Sequence, residues 1–428
     1  MKAASLIELV RYAWKYSDFY RKFWGQRGFD PEQDFREDDD LKKIPILTKN
    51  DLLSVSTVDR SALQAGNHYY FTAISSGTTL RPLISLQSHF AVPPYYRFIE
   101  NLLEEARSSV IILRPASHAA AFIGATIPEK YFRYGSIISL GDINNLIFSA
   151  HIAREIGANR LVARPSDSIK FATVLEQQGY PPSRIKFLHI TGEPITSSAI
   201  SLLERLYPSA VILYAYAMTE GPAFMGLRSS KCNTLVSISP GAYHLSTQDF
   251  IFEEVDGLSV ITALHKIPTP LIRYNTGDRI IIKKNFRCSC GFPEDTICAI
   301  GPRAGEQYYK IGGCTFRTEE IRFVLRKLPE FITDDFALQI EQVAEDDRLL
   351  NSLRFVVRPI NGPATPLVID IITKTLEREL YVTRALSLGK AIQQSLIRPI
   401  EVGYDAALLG AHIFPPSDIM RPFRGRGE

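Results

Sequence analysis

Apolar residues fall at helical spacing where the chain begins. Leu6, Val10, Ala13, Tyr16 and Tyr20 share one face of an amphipathic helix predicted over residues 4–26. Ile44-Pro45-Ile46-Leu47-Thr48-Lys49-Asn50-Asp51-Leu52 then reads as a proline-broken segment and a short helix capped by Thr48. A β-prone run, 68–74, feeds the cluster Ser75-Ser76-Gly77-Thr78-Thr79. From about residue 90 to 222 apolar runs of strand length (110–113, 160–163, 185–190 and 210–214) alternate with helical stretches. One of these helices follows Pro165 with Ser166 as its cap and runs through Glu176; another is opened by Pro194 and ends near Tyr207. That alternation predicts a parallel sheet covered on both faces. Ligands of such sheets bind outside the carboxyl ends of the strands.

The pattern changes after residue 222. Short strands such as Phe250–Val255, separated by turns and without helices, predict an antiparallel β subdomain over about 223–300. Beyond 306 the pattern is mixed again, with a helix near 319–327, strands near 337–340 and 353–357, and a helix over Pro366–Glu379. The expected architecture is α/β. A large N-terminal domain, 1–305, carries mixed and parallel sheets with helices plus the antiparallel subdomain, and 306–428 forms a small mobile α+β domain.

Composition narrows the function classes. The 428 residues are 45% hydrophobic and 22% charged, as in a soluble globular protein. The balance of 49 basic and 46 acidic residues leaves +3, too little to argue for nucleic acid or an anionic membrane. No apolar run is long enough to span a bilayer. The first 29 residues are interrupted by Glu8, Lys15 and Asp18, unlike a signal peptide. Five cysteines without a secretory signal do not suggest a disulfide framework. These features predict a cytoplasmic protein, and the amphipathic first helix offers a surface for a homodimer.

Candidate chemistry sits in four clusters. In the first, Gly77 lets backbone approach a ligand closely, and Ser75, Ser76, Thr78 and Thr79 add hydroxyl donors, which suits phosphate oxygens. No lysine closes this loop, so it is not a Walker-type loop. Thr191-Gly192-Glu193-Pro194 and Tyr214-Ala215-Tyr216-Ala217-Met218-Thr219-Glu220 each end a predicted strand. Leu271-Ile272-Arg273-Tyr274-Asn275-Thr276-Gly277-Asp278 lies in the β region. Singly, each has a plain reading: a turn, a core tyrosine at 216, a helix-start acid at 220, a turn aspartate at 278.

In this order and at these separations the clusters resemble the adenylate-forming superfamily, and within it the phenylacetate–coenzyme A ligases. Tyr12–Gly28, Ile44–Leu52 and Cys288-Ser289-Cys290-Gly291 share that likeness, which is strong through Asp278 and thinner after Arg303. The resemblance implies ATP and Mg²⁺ as reactants. Ser75, Ser76, Gly77, Thr78 and Thr79 would hold the β- and γ-phosphates, and Thr219 and Glu220 the α-phosphate and its Mg²⁺. Tyr216 would stack on adenine, Gly192 and Glu193 would line the same pocket, and Asp278 would accept from the ribose. Arg303 is the candidate ribose/phosphate arginine and Glu306 the hinge. A carboxylate would attack the α-phosphate, with catalysis by positioning and charge neutralisation.

Four positions depart from the family pattern. Leu80 and Ala217 replace glycines, and Asn275 replaces the arginine of the Tyr-Arg-Thr-Gly-Asp motif. No lysine follows Lys390 to supply the family's late lysine, and arginine is not its equivalent at a tight phosphate site.

Cys232, His244, Cys288 and Cys290 form a candidate zinc quartet with Cys298 in reserve, since some relatives of that family carry structural zinc there. Buried free thiols with a surface histidine are the alternative, and Cys314 reads as packing. Three functions follow. The first is adenylation of a carboxylic, expectedly aromatic, acid with transfer to coenzyme A. The second is the same adenylation with an amine or carrier-protein acceptor, and the third a non-catalytic nucleotide-binding relative. His118 and Phe122 are candidate walls of the acid pocket.

Overall fold

The structure is a computed structural model. It describes residues 2–3, 5–63, 70–75, 82–87, 108–115, 137–222, 224–292, 294–303, 308–360, 362–383, 385–405, 407–409 and 412–423.

Eleven strands make one mixed sheet. In chain order they are β3 (Ser109–Leu113), β4 (Ile137–Leu140), β5 (Arg160–Ala163), β6 (Phe187–Thr191), β7 (Val211–Tyr216), β8 (Gly226–Ser229), β9 (Ala242–Leu245), β10 (Phe250–Val255), β11 (Leu258–Ala263), β12 (Tyr274–Lys283) and β13 (Ile297–Arg303). A separate hairpin, β1 (Phe71–Ile74) with β2 (Ile84–Gln87), precedes them. The sheet order is β10-β11-β12-β13-β9-β8-β7-β6-β5-β3-β4. From β4 to β7 neighbours run parallel, and from β7 to β10 antiparallel. The expected antiparallel region is therefore a continuation of the parallel strands, joined edge to edge at β7–β8. It also contains one short helix, Asn233–Ile238, too brief to register in the hydrophobic pattern.

The parallel strands are apolar because both faces are covered. Every residue of β3 and of β5 is buried. Helix Pro165–Gln177 starts with Pro165 in its first turn, and Arg164, not Ser166, is the N-cap. Proline is suited to that position because it has no N–H to leave unsatisfied. The next helix, Ser197–Leu206, is capped by Thr196, whose hydroxyl accepts from Ala199 N; Pro194 lies outside it.

The N-terminal helix is two helices. Leu6–Tyr16 ends at Ser17, whose backbone is extended and whose hydroxyl accepts from Tyr20 N to start Asp18–Gly25. A capping serine thus interrupts a periodicity that spans both. Leu6, Leu9, Val10, Ala13, Tyr20 and Trp24 are buried in the main core, so this apolar face is used within the chain. Thr48 caps Lys49–Leu53 as expected, in a reciprocal arrangement with Asp51.

A second hydrophobic cluster begins at Tyr309 and is built from Ile311, Phe316, Phe336, Leu353, Phe355 and their neighbours. It surrounds the hairpin β14 (Tyr308–Ile311)–β15 (Cys314–Arg317) and a four-stranded sheet in which β16 (Ile332–Glu345) and β17 (Arg348–Pro359) lie between β18 (Glu401–Gly403) and β19 (His412–Phe414). The β14–β15 turn is Gly312-Gly313, both at positive φ, as a two-residue type I′ loop requires. Helix Pro366–Glu379 has the bounds expected from sequence. The strands near 337–340 and 353–357 are each much longer than their apolar runs, because pairing in the hairpin extends them into polar sequence. Among the described residues, no helix is long and apolar enough to cross a membrane.

Candidate active site

The carboxyl ends of the parallel strands open into a cavity of about 480 Å³, a size typical of small-molecule sites. Arg114, Arg164, Gly192 and Ala217, the residues that follow β3, β5, β6 and β7, all line it. So do Ser75, Glu193, Tyr216, Thr219, Glu220, Asp278 and Arg303. The cavity therefore gathers every described residue put forward from sequence for nucleotide or catalysis. Ser76, Gly77, Thr78 and Thr79 lie outside the described residues, as do Leu80, His118, Phe122 and Glu306.

Ser75 closes the base of the β1–β2 hairpin. Its N–H donates to Leu83 O at 2.9 Å and its Oγ accepts from Leu83 N at 2.8 Å. The far end of that hairpin reaches the Thr219-Glu220 segment: Gln87 Nε2 donates to Glu220 O at 3.2 Å and Thr219 O at 3.4 Å. The hairpin that leads into Ser75 is thus tied to the Thr219-Glu220 segment through the side chain of Gln87. Glu220 is buried, and its carboxylate offsets only part of the burial that lowers the pKa of nearby Arg60.

Asp278 is held from both sides. Tyr216 Oη donates to Oδ2 at 2.7 Å and Arg303 Nε donates to Oδ1 at 3.0 Å. Burial, then the nearby carboxylate, push the Tyr216 phenol well above its ordinary value, so it is a fixed donor. Its ring stacks on Tyr243 at 6.0 Å. Asn275, where the family arginine is missing, accepts from Gly277 N at 2.8 Å and shapes the turn before Asp278. Arg273 is instead buried in a bidentate pair with Glu253 and donates to the carbonyls of Lys42 and Ile44.

On the β5–β6 side the charge is mostly positive. Arg164 pairs with Asp167 at 2.6 and 3.1 Å and approaches Glu193 at 3.6 Å. Glu193 also accepts from Ser166 Oγ at 3.1 Å. Arg114 Nη1 donates to Thr191 O at 2.9 Å. Lys310, on β14, reaches the same cavity from the second core, and burial followed by Arg164 lowers its pKa to about 8. Arg114, Arg164 and Lys310 were not singled out from sequence. The signal available for the two arginines was position: each directly follows the last apolar residue of a parallel strand.

A separate cluster lies beside the antiparallel strands. Cys232, His244, Cys288 and Cys290 present ligand atoms that all lie within 4.8 Å of one another. Cys232 Sγ is 3.2 Å from Cys288 Sγ and 3.7 Å from His244 Nε2, and Cys290 Sγ is 3.3 Å from that nitrogen. Tetrahedral zinc would place such atoms roughly 3.6–3.8 Å apart. His244 Nδ1 donates to Glu294 O at 3.2 Å, which leaves Nε2 as the acceptor facing the sulfurs. Hydrogen bonds from Cys232 and then His244 pull Cys290 towards thiolate, while the same coupling pushes Cys232 up. The donor set fits zinc. Cys298 is not part of it: His244 pairs with Ile297 and Tyr243 with Cys298 across β9–β13, so pleat alternation sends Cys298 to the opposite face, into the main core. Cys314 is buried in the second core.

No family model matches the chain. The indoleacetate–lysine synthetase of Pseudomonas savastanoi is 27% identical over 145 residues, 33% of this chain, and the match spans about a third (34%) of that protein's length. The crystal structure of a 2-hydroxyisobutyryl-CoA ligase in complex with 2-HIB-AMP and CoA in the thioesterification state superposes with a TM-score of 0.62 at 18% identity, covering 98% of this chain and 90% of that one. The same ligase in the postadenylation state gives 0.57 at 17% identity, with the same coverage. The chain shares the fold of that 2-hydroxyisobutyryl-CoA ligase.

Proposed function

We propose that this protein is an ATP-dependent acid–thiol ligase. A carboxylate oxygen of the acid attacks the α-phosphorus of ATP, the bond to the bridging oxygen breaks, and pyrophosphate leaves with its electron pair. A thiol of coenzyme A then attacks the acyl carbon of the adenylate and AMP leaves. The observation that carries this reading is the convergence of Ser75, Gly192, Glu193, Tyr216, Thr219, Glu220, Asp278 and Arg303 on one cavity at the carboxyl ends of parallel strands. The fold shared with the CoA ligase, which is bound to an acyl-AMP and CoA, supports it further.

In this reading Asp278 takes the ribose hydroxyls, Tyr216 faces adenine, and Thr219 contacts the α-phosphate. Glu220 would share Mg²⁺ with phosphate oxygens; the ion supplies charge neutralisation on the departing pyrophosphate. Arg303 adds positive charge at the cavity, and Lys310 does so below about pH 8. Residues 306–428 form the small domain that changes its orientation between adenylation and transfer, and the protein works in the cytoplasm. Cys232, His244, Cys288 and Cys290 hold a structural zinc away from the chemistry.

A second acceptor is favoured by one observation. The curated relative is an indoleacetate–lysine synthetase, which by its name joins an acid to an amine. Pyrophosphate release over a panel of aryl and alkyl acids, with coenzyme A, lysine or neither, tests both. Acid-dependent release that turns over only with the thiol supports the ligase. Turnover only with the amine transfers the reading to amide synthesis, and tight ATP binding without release for any acid leaves a nucleotide-binding protein.

A further inference from the structure

We propose that Arg60 is a positioning residue of the nucleotide site: it fixes strand β2, and β2 sets Ser75 against the Thr219-Glu220 segment. This rests on the nucleotide reading of those three residues above. Arg60 is 2% exposed, and its guanidinium gathers acceptors from separate pieces of the chain. Nη1 donates to Leu52 O at 2.8 Å and to Val55 O at 3.0 Å, at the end of helix Lys49–Leu53. Nη2 donates to Thr57 Oγ1 at 3.1 Å and to Ile84 O. Thr57 Oγ1 donates in turn to the same Ile84 carbonyl at 3.3 Å. The Arg60 backbone is held as well: its N–H donates to Ser56 O at 3.1 Å, and its carbonyl accepts from Ser17 Oγ at 3.4 Å.

Ile84 is the first residue of β2 and pairs with Ile74, the last residue of β1. Ser75 follows Ile74 directly, is bonded to Leu83, and lines the cavity. At the other end of β2, Gln87 Nε2 donates to the carbonyls of Glu220 and Thr219. Strand residues rise about 3.3 Å each, so β2 is a strut of roughly 10 Å between the Arg60 fork and the Glu220 carbonyl. Slack at Arg60 therefore lets Ser75 move relative to Thr219 and Glu220. The same guanidinium holds the end of the helix that carries Lys49 to the cavity, so two walls share one fastening.

The chemistry of this fastening needs an arginine. A planar fork offers donors on both edges, one towards the helix end and one towards the strand, whereas an ammonium acts as a point. Hydrogen bonds from a charged donor are about twice as strong as neutral ones. The site is buried, so a side chain of similar volume without donors leaves carbonyls unsatisfied and β2 less firmly held.

Titration calorimetry with ATP and Mg²⁺ on the full chain tests this, because it gives Kd and the number of sites per chain separately. Arg60→Met keeps the apolar stem and removes the fork. Its ATP Kd should weaken roughly 10- to 100-fold with the number of sites unchanged, and Arg60→Lys should lose less. Hydrogen exchange in peptides covering 71–75 and 83–87 should rise in Arg60→Met, while β5 and β6 keep their protection. Thr57→Val removes one hydroxyl, leaves the fork in place, and should weaken ATP binding roughly two- to fivefold. A natural Kd in folded Arg60→Met overturns the proposal, whether the number of sites is kept or reduced, as does exchange that rises evenly across the protein. Where Arg60→Met does not fold, Thr57→Val decides, and a natural Kd there overturns the proposal. ATP binding without acid-dependent pyrophosphate release in the natural protein defeats adenylation alone, and the calorimetric comparison still decides on Arg60. No ATP binding by the natural protein overturns both.

Discussion

Tyr216 and Asp278 meet at 2.7 Å although their strands, β7 and β12, are four places apart in the sheet order. A flat sheet would separate such strands by roughly 19 Å. The antiparallel half must curl over the carboxyl end of β7, and this curl converts an open parallel sheet into a walled cavity. The hydrogen bond is where that closure is made, and Arg303, also on the antiparallel half, completes it from the next strand.

Removing the charge at this junction should weaken nucleotide binding. Asp278→Asn deprives Arg303 of its partner and the ribose of an ionised acceptor. A loss of roughly 10- to 100-fold in ATP affinity is expected. Tyr216→Phe removes one hydrogen bond and keeps the ring on Tyr243, so its loss should stay below about tenfold. Calorimetric titration with ATP checks both; equal losses would mean that Tyr216, rather than Asp278, carries the contact.

Metal analysis of the purified protein should find one zinc per chain. Cys290→Ser or prolonged chelation should then lower Tm by several degrees, since a site filled at a thousand times its Kd contributes about 4 kcal/mol. Cys298→Ser should leave the zinc content unchanged, because that thiol is on the far face of β13. Full stability in chelator, with no metal found, would return the quartet to buried free thiols.

Much of the fold was legible because parallel strands need apolar residues on both faces, and β3 and β5 are buried throughout. The candidate cluster was found for a related reason: Ser75 and Gly192 directly follow strands, while Tyr216, Asp278 and Arg303 lie within strands that border the cavity. What stayed hidden depended on long-range closure. Nothing local in Gly192 says that an arginine 78 positions earlier in the chain will lie against it, and nothing local in Lys310 says that a hairpin of the second core will carry it to β5. The break at Ser17 was hidden differently, since its capping role is local but the apolar period continues through it.

Lys310 gives the site a pH limb. Its pKa lies near 8 rather than 10.5, so it is charged below about pH 8 and neutral above. With Lys310 assisting adenylation, kcat/KM for the exchange reaction should fall as pH rises through about 8, because that ratio reports the free protein. Lys310→Arg should move the limb above pH 10, and Lys310→Met should abolish it. For stability the sign is opposite. Between about 8 and 10.5 the unfolded chain binds the proton that the folded chain has lost, so this residue makes the ligand-free protein more stable as pH rises through that window.

Two glycines at similar φ separate backbone strain from steric conflict. Gly192 has φ +88 and Gly313 φ +80, so alanine is strained at either, at about 1–2 kcal/mol. At Gly313 the nearest atom to a new Cβ is Ser166 Oγ at 4.0 Å, an ordinary contact. At Gly192 the Cβ would enter the Arg114 guanidinium, so the end of that side chain must shift. Gly192→Ala should therefore lower Tm more than Gly313→Ala does, as thermal unfolding of the two variants would show. Equal falls in Tm would show that Arg114 moves aside freely and that its place against Gly192 adds nothing to stability.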